Sequence, residues 1–162
     1  MTNYSHTYRV IALCVFLFLF FINAGCDDEA GTDDNGIGTG DLEIIGTWVA
    51  NNVDVTTGAV GSGVITTVIS NTKSEAHYDM DGDGTDDGTA VSEIIEYNNN
   101  EKTMFGRITS HTESSFIGQY VRSEWTLSDN TMENKSYEFS DDLGVAKNST
   151  TVTWGPATYT KQ

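Results

Sequence analysis

The run Asp79-Met80-Asp81-Gly82-Asp83-Gly84-Thr85-Asp86-Asp87-Gly88 is where residue types and spacing could do chemistry. Counting from Asp79, carboxylates fall at the first, third, fifth and ninth positions, on Asp79, Asp81, Asp83 and Asp87, with Gly84 at the sixth. Such spacing turns alternate side chains toward one centre, and a hard cation such as calcium takes about six to eight oxygens there. The glycine permits a sharp turn, and the backbone carbonyl of Thr85 would add a further oxygen. Five aspartates within nine residues repel one another unless a cation neutralises them, which favours calcium. A solvated acidic hairpin tip between two strands is the alternative.

The spacing resembles the first half of an EF-hand loop, but the twelfth position, where that family has a bidentate glutamate, is Ala90. No flanking helices are predicted. The run is more similar to the Asp-rich calcium loops of thrombospondin type 3 repeats and comparable extracellular modules. That resemblance implies a weak site, with a Kd of about 10⁻⁴ to 10⁻³ M.

Little else suggests catalysis. His77 and His111 have no cysteine or serine nucleophile motif near them in the sequence. His77 and Asp79 stand two apart on a predicted strand and could touch a transition metal, yet a lone imidazole is also an ordinary surface strand residue. Glu93 and Glu96 fall on opposite strand faces and make no carboxylate pair. The chain is not expected to be an enzyme.

Upstream, residues 10–22 are almost wholly apolar, Arg9 precedes them, and Ala24 and Gly25 stand just before Cys26. The run falls short of the about 20 apolar residues that a bilayer core requires, and acidic residues 27–29 follow it directly. Residues 1–25 therefore read as a secretory signal peptide. Ala24-Gly25-Cys26 resembles the lipobox of bacterial lipoproteins, with Asn23 a departure from its pattern. The resemblance implies a diacylglycerol on the Cys26 sulfur, cleavage just before it, and attachment to the membrane through the lipid. Cys26 is otherwise an ordinary mature cysteine without a partner, because Cys14 leaves with the signal peptide. Each buried methylene contributes about 0.8 kcal/mol, so two or three acyl chains hold a protein where one does not.

Residues 26–41 are acidic and Gly-rich and cannot build a core; as a flexible tether they would reach on the order of 20 Å. Acidic residues beside a lipidated cysteine resemble sorting signals, read as inner-membrane retention in some bacterial lineages and as surface export in others. The expected location is the bacterial cell envelope, at the outer membrane of a Gram-negative organism.

With 24 acidic and 8 basic residues the chain carries a formal charge of -16, and loss of Arg9 with the signal peptide makes it -17. Such acidity argues against nucleic acid and against docking on anionic lipid. Residues 42–162 are enough for one small domain. From residue 42 the pattern turns to period two, with strands expected at 44–49, 63–70, 73–80, 89–97, 103–109, 116–127, 132–139, 146–154 and 158–161. Ile117, Val121, Trp125 and Leu127 share one face, while Asn98-Asn99-Asn100 and Gly155-Pro156 read as turns. No amphipathic helix of usable length is apparent. Short antiparallel strands that must hide their edges predict an all-β fold, a small up-and-down barrel or curled meander, with a sandwich as the alternative.

Gly46-Thr47-Trp48 resembles the Gly-x-Trp opening of lipocalins and of short bacterial lipocalin-like lipoproteins, and residues 125–130 and 157–161 are similar to closing strands of that group. The resemblance implies that Trp48 closes the barrel floor under a late arginine, for which Arg122 is the candidate, and that the interior could hold a small apolar ligand. An eight-stranded barrel can equally be filled by its own side chains. A second reading is a structural or adhesive surface lipoprotein whose calcium loop orders an interaction face.

Overall fold

The computed structural model describes residues 40–162; the expected signal peptide, Cys26 and the expected tether up to residue 39 lie outside the described residues. Eight antiparallel strands form a closed barrel in sequence order. They are β1 (Gly46–Val53), β2 (Val60–Ile69), β3 (Lys73–Asp79), β4 (Gly88–Asn98), β5 (Thr103–His111), β6 (Tyr120–Ser128), β7 (Thr131–Tyr137) and β8 (Val152–Lys161). β8 returns to β1 through Trp48↔Lys161 and Val49↔Thr160, which removes the free edges. The expected all-β up-and-down barrel is the fold, and the sandwich is not.

Alternation does the sorting. Residues opposed across each ladder share a face, so Ile65↔Tyr78, Thr67↔Ala76 and Ile69↔Ser74 all point inward. The inward set continues through Ser123↔Ser136 and Trp125↔Asn134. Val121 and Trp125 are buried as their parity predicts, whereas Ile117 is 49% exposed because it precedes the strand. The chain from Ser114–Phe116 forms a 3-10 turn, and Gly118 (φ +94°) redirects the backbone before β6 starts at Tyr120. Phe116 is thus a turn residue, not the strand opening expected from its apolar neighbours.

Two further expectations change. The strand expected at 146–154 is split: a short helix α1 (Leu143–Asn148) comes first, and β8 begins at Val152. Asp142 caps α1 by accepting from Val145 N (3.0 Å), and Ala146 is wholly buried beneath it. Gly155-Pro156 is not a turn but lies inside β8, where the register against β7 shifts between Asn134↔Ala157 and Ser136↔Trp154. Gly155 has φ +88°, and a Cβ there would stand 2.6 Å from the Asn134 carbonyl oxygen, so the irregularity requires glycine. Pro156 has no N–H for the ladder and is placed where pairing is already interrupted.

The hairpins at 70–72, 99–102 and 129–130 lie at one end of the barrel, and the connections 54–59, 80–87, 112–119 and 138–151 lie at the other. The chain before β1 plugs the first end. Leu42 N donates to Asn71 Oδ1 (2.7 Å), Glu43 N to Asn99 Oδ1 (3.1 Å), and the Tyr97 hydroxyl to the Gly40 carbonyl. Gly40 and Asp41 belong by composition to the tether, yet Asp41 accepts from the Asn71 and Asn99 amides and helps fasten the plug. Leu42 and Ile44 are about as buried as any residues in the chain, at 1% and 0% exposure.

Candidate functional site

The barrel interior holds a cavity of about 580 Å³, bounded below by Ile69 and Met132 and above by Met80, Glu113, Phe116 and Phe139 from the loop end. Ligand pockets span about 300–1,000 Å³, so a single small molecule fits. The space arises from residue size. Ser74, Ala76, Gly88, Ala90, Ser92 and Gly106 face inward on β3, β4 and β5, leaving room that larger side chains would fill. Opposite them stand Ile65, Met132, Trp154 and Tyr159.

The wall is mixed in character. Ile65, Ile69, Ile94, Met104, Ile108 and Val121 give apolar surface, while Thr67, Ser92, Ser123, Ser136, Tyr78 and Tyr159 bring hydroxyls. Ser123 and Ser136 satisfy each other at 3.0 Å. Thr67 lies beside the phenol of Tyr159. Burial pushes the phenol of Tyr78 up to about 12 and that of Tyr159 higher still, so both stay protonated across the physiological range. At the loop end, rings follow one another: Tyr78 to His111 (6.3 Å between centroids), His111 to Phe116 (4.9 Å) and Phe116 to Phe139 (5.0 Å). A broader hollow of about 790 Å³ beside α1 is lined in part by exposed polar residues such as Asp142, Asn148 and Thr150 and lacks such a ring-lined wall.

The acidic run is the β3–β4 connection at this same end. Asp79, Asp81 and Asp87 come together, each offering a carboxylate oxygen within 4.8 Å of the others, and the group could hold a metal ion. Asp79 is the anchor, 7% exposed. Its Oδ2 accepts from Gly84 N (2.8 Å) and its Oδ1 from Gly82 N (2.7 Å) and Asp83 N (3.2 Å). The Gly84 amide leads in holding the Asp79 carboxyl below its usual range, the amides of Gly82 and Asp83 adding to this against the opposing effect of burial. Gly82 (φ +77°) could not carry a side chain, because a Cβ would lie 2.6 Å from the Ser62 carbonyl oxygen. Asp87 Oδ2 accepts from Met80 N (2.7 Å), which ties the loop to a residue lining the cavity.

Asp83 is not one of the three carboxylates that come together, and the Thr85 backbone carbonyl is not among the side-chain oxygens that define the group. Asp83 is exposed, and its Oδ1 accepts from Thr85 N (2.8 Å). Thr85 is exposed as well. His77 does not join Asp79: its Nδ1 meets Asp86 Oδ2 at 2.9 Å and its Nε2 lies 3.4 Å from Glu75 Oε1, on the outer face. His111, by contrast, has turned inward to the cavity.

At the floor, Trp48 is 1% exposed and its Nε1 donates to the Ile44 carbonyl (2.8 Å). The cation over its ring is Lys161, at 5.3 Å, not Arg122. Arg122 has the opposite parity to inward Trp125, so it sits outside the barrel, over Tyr137 (4.5 Å) and bonded to the Ser149 carbonyl (3.2 Å) beneath α1. Glu43 receives Lys102 Nζ (2.6 Å) and Trp125 Nε1 (2.5 Å); burial would raise its carboxyl, but these partners bring it below the usual range.

The cavity residues carry no motif and were invisible as a site in the sequence. The only trace of them is the unusual run of small residues at inward positions, and that trace has meaning only once the parity of β3, β4 and β5 is known. No family model, curated protein or solved structure matches the chain, so the functional reading rests on this geometry.

Proposed function

We propose that the chain is a lipid-anchored lipoprotein of the bacterial cell envelope whose lipocalin-like barrel holds a small apolar ligand. The observation that carries this reading is the cavity of about 580 Å³ inside a closed, floor-plugged barrel, walled by isoleucines, methionines and aromatic rings. A barrel built only as a scaffold would gain stability by filling that space with larger side chains. The lipobox-like Ala24-Gly25-Cys26 supports the anchor. Binding of a neutral naphthylamine dye tests the reading. Emission should rise and saturate with wild type, and Ala90→Leu, which adds bulk to the wall, should abolish the rise without lowering the melting temperature. Unchanged binding in the filled variant would place the dye elsewhere and refute the carrier reading.

The proximity of Asp79, Asp81 and Asp87 favours a second reading, in which calcium at the β3–β4 loop stabilises a structural or adhesive surface lipoprotein. Three carboxylate oxygens this close suit an ion whose oxygens stand at about 2.3–2.6 Å. The two readings share one end of the molecule, since Met80 belongs both to the loop and to the cavity rim.

A further inference from the structure

Resting on the reading of the barrel as a ligand carrier, we infer that the cavity takes neutral, flat, largely aromatic molecules bearing one acceptor oxygen, which Tyr78 receives, and turns away anionic amphiphiles such as fatty acids. The selection follows from what the wall contains. Among the described residues, no lysine or arginine lines the cavity. Its single basic side chain, His111, accepts from Glu113 N (2.9 Å) through Nδ1, which requires the imidazole to be unprotonated at that nitrogen. An anionic head group drawn inside would find no countercharge, and an unpaired buried charge is strongly disfavoured. The approach opposes it too. Glu113 stands exposed at the rim, and the loop bearing Asp81, Asp83, Asp86 and Asp87 borders the same end.

The shape of the rim argues for flat ligands. Tyr78, His111, Phe116 and Phe139 offer ring faces and edges in series, with the Trp154 and Tyr159 rings 6.4 Å apart on the far wall. Aromatic groups gain specific geometry from such surroundings beyond the area they bury. Within the wall, the Tyr78 hydroxyl forms no hydrogen bond with the described residues, whereas Ser123 and Ser136 are paired and Tyr159 has Thr67 beside it. Tyr78 sits between the small residues of β4 and the aromatic rim, opposite Gly88, and a phenol carries its proton at neutral pH. It is therefore a standing donor for a ketone, ester or ether oxygen.

Three dyes with one naphthalene skeleton test this on the purified chain: a phenylnaphthylamine, its sulfonated anionic counterpart, and an acyl-aminonaphthalene whose emission moves to the red when its ketone accepts a hydrogen bond. The neutral dyes should bind at least tenfold more tightly than the sulfonate. Tyr78→Phe should weaken the acyl dye about twofold to tenfold, the worth of one net hydrogen bond, and move its bound emission to the blue. The same substitution should leave phenylnaphthylamine, which has no acceptor oxygen, unchanged, and that dye also reports that the variant is folded. Equal or tighter binding of the sulfonate, or an unmoved acyl-dye spectrum in Tyr78→Phe, would overturn the inference while leaving the carrier reading intact. Failure of every dye to bind would overturn the carrier reading itself, and the inference with it.

Discussion

Removing the Trp48 indole tests whether the barrel is closed from the floor. Trp48 is 1% exposed, packs with Leu42, Ile44 and Ile69 in the core, donates from Nε1 to the Ile44 carbonyl at 2.8 Å, and lies 5.3 Å beneath the Lys161 ammonium. Truncation of a buried tryptophan costs about 3–5 kcal/mol. The lost hydrogen bond and cation-π contact contribute about 1 kcal/mol each and lie partly inside that range. At about 4 °C per kcal/mol for a domain of this size, Trp48→Ala should lower Tm by about 12–20 °C. Trp48→Phe, which keeps a ring and loses the N–H, should lose about 1–2 kcal/mol. Trp154 makes the matched control: it is only half-buried, at the cavity wall, with one bond from Nε1 to the Val55 carbonyl (3.0 Å), so Trp154→Ala should lose clearly less. Urea unfolding followed by circular dichroism reports all three without relying on the indole removed. A loss in Trp48→Ala no larger than in Trp154→Ala would refute the reasoning.

If calcium binds at 100 times its Kd, stability should rise by about 2.7 kcal/mol, and Asp81→Asn with Asp87→Asn should remove that rise without weakening the calcium-free protein; equal calcium response in both would reduce the loop to an acidic turn. Asp79→Ala should instead destabilise even without calcium, since three backbone amides lose their acceptor, and thermal melts in chelator would show it. Toward high pH, the raised phenols of Tyr78 and Tyr159 predict stability that is full below about 10 and declines above it, because the unfolded chain releases those protons first; each contributes a slope of up to about 1.4 kcal/mol per pH unit, and denaturant titrations of Tyr159→Phe should show a shallower fall. Labelled palmitate should enter wild type and not Cys26→Ser, and label persisting in the variant would remove Cys26 as the acylated residue.

The fold was legible because its rules are local. Period-two alternation reports which face of a strand is buried, and short polar turns leave antiparallel pairing as the simple outcome. Asn98, for example, accepts from Asn100 N and Glu101 N within the turn its type suggested. Misreadings fell where a local signal competes with tertiary context. Ala146 and Lys147 resemble the neighbouring strand residues in composition, but the Asp142 cap and a buried Ala146 make helix α1 the better packing. Gly155-Pro156 has turn chemistry, yet the barrel absorbs it as an irregularity between β7 and β8. Arg122 was matched to Trp48 by residue type alone, and strand parity sends it to the other face.

The candidate site divides along the same line. Carboxylates that share a loop are neighbours in sequence, so the grouping of Asp79, Asp81 and Asp87 could be anticipated from spacing, although spacing does not reveal that Asp79 is buried and fastened by amides while Asp83 turns out to Thr85. A cavity is a sum over many strands and has no such signature. Ala76, Ala90 and Gly106 stand on three strands, and each alone is an unremarked small residue; only the register brings them onto one wall. What connects the two halves is Met80, whose N–H is held by the Asp87 carboxylate while its side chain forms part of the cavity rim. Any cation that drew Asp87 toward Asp79 and Asp81 would therefore act on the hydrogen bond that positions the rim. Dye affinity measured with and without calcium then reports whether the loop and the cavity are one device or two, and an affinity indifferent to saturating calcium would show them to be separate.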